Sequence, residues 1–170
     1  FQDKIIDSVQ KNRFTICKMP RQSGKTTVMT ALILHFALFN ESFNVAVLAN
    51  KAATAREILH RIQLAFEYLP NWMQQGIVEW NKGNLELENG SKILAGATSS
   101  GSVRGGSFNL IYLDEFAFVP AHQQTEFFAS TYPTISSGNT TRVMITSTPK
   151  GMNLFYKIWM DAIEARNEYE

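Results

Sequence analysis

An α/β domain, with a mainly parallel sheet flanked by helices, is the fold class that three features of this 170-residue chain predict. Short apolar runs of strand length alternate with longer segments of helical period, as parallel strands joined by helical crossovers require. The run Arg21-Gln22-Ser23-Gly24-Lys25-Thr26-Thr27 stands between a strand and an apolar helix, the context of a loop that wraps phosphate. A further apolar run, Asn109 to Leu113, ends in Asp114-Glu115, so a strand tip delivers two carboxylates.

The elements follow in order. Ile5, Ile6 and Val9 recur at helical spacing and predict a short amphipathic helix over about residues 1–11. Phe14 to Lys18 reads as a strand running into the loop, and Lys25 to Phe39 as an apolar helix carrying Val28, Leu32, Leu34 and Ala37. Asn44 to Ala49 is a compact buried strand. Lys51 to Leu69 is a helix with Ile58, Leu59, Ile62, Leu64 and Phe66 on its apolar positions, stopped by Pro70. Ile77 to Trp80, Leu85 to Glu88 and Lys92 to Ala95 are short strands. Asn89-Gly90 joins the last two as a hairpin, an antiparallel addition to the sheet. Gly96 to Ser107 is a flexible Gly/Ser-rich stretch that carries Arg104. Arg142 to Thr146 is the last strand, closed by Ser147-Thr148-Pro149, and a final helix covers about residues 153–165. Residues 116–141 are assigned no regular element.

Bulk properties narrow the function. A composition 45% hydrophobic and 18% charged excludes a disordered chain, and 170 residues suffice for one domain with a real core. A net charge of +1 excludes a bulk polycation, so any nucleic-acid contact must come from a local patch. Cys17 stands alone, which excludes an internal disulfide framework and fits a reducing compartment. No apolar run reaches the roughly 18 residues of a membrane span, and no signal peptide is visible. The start at Phe1 and the polar end predict a piece excised from a larger protein.

Three short segments carry chemistry. In the first, loop N–H groups would cradle a polyphosphate, Lys25 would reach its terminal phosphates, and the Thr26 hydroxyl would hold Mg²⁺. The usual pattern has a leading glycine where this chain has Met19. In the second, Asp114 suits Mg²⁺ or its water shell and Glu115 the activation of an attacking water. In the third, the hydroxyls of Thr146, Ser147 and Thr148 close a strand beside the loop and can sense a γ-phosphate; a plain Ser/Thr turn is the equal alternative. Arg21 could reach phosphate from its own loop or pin that loop by an ion pair. Arg104 could stabilise transition-state charge, within its own subunit or in a neighbour, or contact DNA phosphate, or simply be solvated. His35, His60 and His122 lack ligand spacing, and the Met, Phe and Trp residues are expected in the core.

Further motifs extend the pattern: Gly76-Ile77-Val78-Glu79-Trp80-Asn81-Lys82-Gly83, Val103-Arg104-Gly105-Gly106-Ser107-Phe108, Ile135-Ser136-Ser137-Gly138, and Thr148-Pro149-Lys150-Gly151. With Arg21 to Thr27 and Ile111 to Phe118 they closely resemble the ATPase domain of tailed-bacteriophage large terminase subunits, over nearly the whole chain. The resemblance implies a P-loop NTPase of the additional-strand (ASCE), RecA-like type. Its Walker A loop comprises Arg21, Gln22, Ser23, Gly24, Lys25, Thr26 and Thr27, and its Walker B pair is Asp114-Glu115. It further implies that ATP and Mg²⁺ are bound by Lys25 and Thr26, that Asp114 holds the metal, and that Glu115 is the catalytic carboxylate. Gln2 would read adenine, Thr146, Ser147 and Thr148 would couple hydrolysis to movement, and Arg104 or Arg21 would supply the catalytic arginine.

By the same resemblance, the expected function is ATP hydrolysis that powers translocation of double-stranded viral DNA into a procapsid. The expected partners are DNA, a portal protein and a small terminase subunit. The chain would form a homo-oligomeric ring when assembled and be a monomer in isolation, in the host cytoplasm and transiently on the procapsid, with no membrane. Family members carry a C-terminal nuclease domain, so cleavage of DNA is not expected of residues 1–170. The motor domain of a superfamily 2 helicase is the alternative enzyme, and a nucleotide-fixed assembly module the alternative outside enzymes.

Overall fold

The computed structural model describes residues 2–99, 101, 103, 106–137 and 140–170. Helix α1 (Gln2–Lys11) precedes strand β1 (Phe14–Lys18), helix α2 (Lys25–Phe39), strand β2 (Asn44–Ala49) and helix α3 (Ala52–Glu67). Strands β3 (Ile77–Trp80), β4 (Asn84–Leu87) and β5 (Lys92–Ala97) follow, then β6 (Leu110–Asp114) and a 3₁₀ turn over Phe116–Phe118. Helix α4 (Ala121–Ser137), strand β7 (Arg142–Ser147) and helix α5 (Leu154–Ile163) complete the order.

The strands form one sheet in the order β1-β7-β6-β2-β5-β4-β3. The β1–β7, β7–β6, β6–β2 and β2–β5 pairs are parallel, while β5–β4 and β4–β3 are antiparallel. The expected hairpin addition is therefore present at the far edge, with a bulge between Ile77 and Glu79. Central parallel strands buried on both faces need continuous apolar runs, and β6 is buried along its whole length. Val45, Val47, Leu110, Tyr112 and Met144 belong to one core with the apolar residues of α1, α2 and α3. Ala46, Leu48, Ile111, Leu113, Val143 and Ile145 face the other core with Phe116, Phe127 and Phe155. Helix α2 buries Val28, Met29, Leu32, Ile33, Leu34 and Ala37, too wide a spread for a single stripe, because it lies between the sheet and neighbouring helices.

Two expectations need correction. Helix α4 occupies residues assigned no element, held by a buried stripe of Gln124, Phe127, Thr131 and Ile135. Not every large apolar residue is core: Trp72 is 80% exposed on the loop after α3, and Phe39 and Met152 also face solvent. Trp80 and Trp159 are partly buried against the two cores, as expected.

Register sets up the site. Lys18 pairs with Ser147, Cys17 with Thr146, Asp114 with Thr146, and Ala49 with Asp114, so the carboxyl ends of β1, β7, β6 and β2 lie level. Whatever follows these strands meets along one edge of the sheet, where open α/β sheets place their ligands.

Candidate functional site

The loop after β1 carries two left-handed residues, Gln22 at φ 58° and Gly24 at φ 78°. Alternation of right- and left-handed backbone turns successive N–H groups inward, the geometry of an anion nest. Gly24 also has little room for a side chain, since a Cβ there would lie 2.9 Å from Gln2 Nε2. The first residue of α1 is thereby placed against the loop. Ser23 Oγ donates to the Pro20 carbonyl at 2.8 Å and ties the loop to its own start. Gly24 then caps α2, whose first-turn N–H groups open toward the same space.

An open cleft of about 400 Å³ lies here, lined by Arg21, Gln22, Ser23, Gly24, Lys25, Thr26, Thr27, Arg61 and Glu115. Lys25 is 7% exposed, and its ammonium is ion-paired with Glu115 Oε1. Glu115 reaches it because the chain leaves β6 in a left-handed conformation at φ 48°, ψ 42°, uncommon for a residue with a side chain. The reversal takes Glu115 out of strand alternation and turns its carboxylate toward the phosphate loop. Oε2 of Glu115 accepts from the Thr148 N–H at 3.2 Å and from the Thr148 hydroxyl at 3.1 Å, with Ser147 Oγ 3.5 Å away. Burial pushes this carboxyl up, but the Lys25 ammonium and the Thr148 donors outweigh it and hold it below the usual glutamate range.

Asp114 sits deeper, 4% exposed. Its Oδ1 accepts from the Tyr112 hydroxyl at 2.9 Å and from the Thr146 hydroxyl at 2.9 Å, and those two hydroxyl oxygens are 3.0 Å apart. Burial raises the Asp114 carboxyl above its ordinary value; these bonds and the Lys25 charge oppose the shift without cancelling it. Burial, followed by the Asp114 charge, pushes Tyr112 well above its ordinary value, so its proton stays available to donate.

Among the described residues, the hydroxyl triplet and the acid pair lie within hydrogen-bond reach of one another. Thr146 bonds to Asp114 and Thr148 to Glu115, so the hydroxyl triplet anchors both carboxylates through the end of β7. Arg21 lines the cleft with its guanidinium 5.7 Å from the centre of the Phe118 ring, and Lys150 lies 4.8 Å from the same ring. Arg104 lies outside the described residues, as do Gly105 and Gly138 of the quoted motifs and the first residue, Phe1. Sequence reading missed Arg61, which lines the cleft from α3 and pairs with Glu57 at 2.8 Å. Their four-residue separation was the available signal. It also missed Tyr112, the one hydroxyl in the apolar run before Asp114.

Residues 16–170 match the family described as terminase large subunit, T4-like-virus type, N-terminal. The chain belongs to this terminase family. Tripartite terminase subunit 3 of Saimiriine herpesvirus 2 (strain 11) is 25% identical over 124 residues, 69% of this chain and 18% of that protein. The chain spans about a fifth of the length of this relative. Among solved terminases, the ATPase domain of Thermus phage P74-26, as a point mutant, aligns with a TM-score of 0.76 at 22% identity. That alignment covers 94% of this chain and 68% of that one. The large terminase of bacteriophage HK97 aligns at 0.79 and 18% identity, covering 99% and 37%. The large terminase of another thermophilic bacteriophage, solved in complex with ADP, aligns at 0.70 and 14%, covering 99% and 43%. At such identities the likeness establishes a shared fold alone, an α/β fold with a mostly parallel sheet flanked by helices.

Proposed function

We propose that this terminase domain hydrolyses ATP and uses the cycle to move double-stranded DNA into a procapsid. The observation that carries the reading is the meeting of a nest-shaped loop, its lysine and a carboxylate in one cleft at the carboxyl edge of the sheet. Family membership favours packaging over the helicase alternative, and the relative solved in complex with ADP supports nucleotide as the ligand.

On this reading the triphosphate lies along the loop N–H groups and the start of α2. Lys25 moves from Glu115 to the terminal phosphates, and the released Glu115 orients and deprotonates the attacking water. Gln2, already beside Gly24, reads the adenine edge. Arg21 leaves the Phe118 ring to meet developing charge within the subunit, and Arg104 is the candidate for supplying charge to a neighbour. Thr148 and Ser147 hold Glu115 and transmit its release along β7, while Thr146 holds Asp114.

The donor set fits Mg²⁺. That ion takes hard oxygen ligands and is usually held by one or two carboxylates together with substrate phosphates rather than by an all-protein cage. Asp114 supplies the carboxylate and Thr26 the hydroxyl; among the described residues no cluster of three or more His, Cys, Asp or Glu forms a cage. When bound, the ion would neutralise phosphate charge.

The wider proposal is a homo-oligomeric ring at a portal, met by a small terminase subunit in the host cytoplasm and transiently on the procapsid. The isolated domain is then a monomer without membrane attachment; among the described residues no helix is long and apolar enough to cross a membrane. Equilibrium binding of a fluorescent ATP analogue tests the site. Lys25→Ala is expected to abolish binding at concentrations that saturate the parent, and unchanged binding would sink the assignment.

A further inference from the structure

Tyr112 is fully buried, and its ring is part of the core beneath α2. A phenolic hydroxyl in such a place must find a partner, because an unbonded one costs more than the apolar ring without it. Packing alone would be served as well by phenylalanine. The hydroxyl is spent on Asp114. Residues 112 and 114 share a face of β6, since strand side chains alternate, so the phenol reaches along its own strand to the carboxylate two residues on. Thr146 reaches the same oxygen from the side, as the register partner of Asp114 on β7.

Both donors converge on Oδ1, whose acceptor capacity is thereby filled. Oδ2 accepts no hydrogen bond from any described residue. Given the proposed ATP site, on which this step rests, we infer that the Tyr112 hydroxyl is a positioning group. Together with Thr146 it locks the Asp114 rotamer and reserves Oδ2 for the divalent cation or its water. Tyr112 itself touches neither nucleotide nor metal. Its role is that of an outer partner that orients a ligand, and loss of such partners commonly costs tenfold or more in metal affinity.

The test is a Mg²⁺ titration of fluorescent ADP-analogue binding by the 170-residue protein, with Tyr112→Phe and Thr146→Val beside the parent. Both variants keep volume and burial and remove one donor each. The expected result is a rise of about tenfold in the Mg²⁺ concentration that half-maximally tightens binding, for either variant. Metal-free nucleotide affinity stays at the parent value. An unchanged Mg²⁺ midpoint in Tyr112→Phe overturns the inference while leaving the nucleotide site intact. A proportional loss of metal-free affinity also overturns it, since that marks general deformation. A parent whose nucleotide binding ignores Mg²⁺ overturns the metal reading of the site and this inference with it.

Discussion

At the residue scale, the two adjacent acids are set in opposite electrostatic states by what surrounds them. Glu115 is held below its ordinary value of 4.5 by Lys25 and Thr148 against the pull of burial. It therefore contributes stability that is present above that value and lost as pH falls through the lowered one. Asp114 is raised above its ordinary 3.8, chiefly by burial, so its charge costs stability at neutral pH. That cost fades as pH falls from the raised value toward the ordinary one, and it is gone below the ordinary value, where both folded and unfolded states are protonated. Asp114→Asn removes the charge and still offers an oxygen to Tyr112 and Thr146. The expected outcome is a higher melting temperature at pH 7, by about 2–4 °C per kcal/mol regained in a chain of this size. The gain should vanish in acid, and Mg²⁺ should no longer tighten nucleotide binding. A lower melting temperature at pH 7 would contradict this account of Asp114.

At the element scale, the turn after β6 is what aims Glu115, and it depends on a helix that the sequence conceals. Gln124 of α4 is 1% exposed, and its amide donates to the carbonyls of Phe116 at 3.0 Å and Val119 at 2.8 Å. The Ser147 hydroxyl accepts from the Ala117 N–H at 3.0 Å on the other side. Gln124→Leu keeps most of the volume but strands the Val119 carbonyl and leaves the Phe116 carbonyl only its bond from the Val119 N–H, so a loss of roughly 1–3 kcal/mol is expected by thermal or denaturant unfolding. A neutral result would show that α4 does not support the turn.

The same helix marks where sequence reading stopped. Residues 121–137 mix Ser, Thr and Gln with a proline at 133, and both propensity and proline argue against a helix. Only burial of the stripe 124, 127, 131 and 135 against the sheet explains it, and that is tertiary information. By contrast β1, α2 and β2 were legible to the residue, since β2 is the near-continuous apolar run that a strand buried on both faces leaves, and β1 and α2 flank the phosphate loop. The phosphate loop was equally legible, because its glycine, lysine and threonine are local requirements. Tyr112 and Arg61 were not singled out, for their roles come from the neighbours that the fold supplies.

At the scale of the whole molecule, the level carboxyl ends of β1, β7, β6 and β2 gather loop, hydroxyl triplet and acid pair along one edge of the sheet, where Glu115 reaches into the cleft that the loop lines. Strand β7 touches both carboxylates, through Thr146 and through Ser147-Thr148, so a change at the nucleotide has a rigid strand through which to act. Lys25 and Glu115 neutralise each other in the described state. Nucleotide must part them before water can be activated, which makes their separation the first event of the proposed cycle.

The central claim is that Glu115 activates the attacking water in this cleft, and steady-state ATP turnover by the parent and by Glu115→Gln, with analogue affinity measured alongside, tests it most directly. The account predicts a drop in turnover of about a hundredfold or more. Analogue binding should be as tight as in the parent or tighter, because Lys25 no longer has a charged competitor for the phosphates. Turnover equal to the parent, or loss of binding together with turnover, would contradict it.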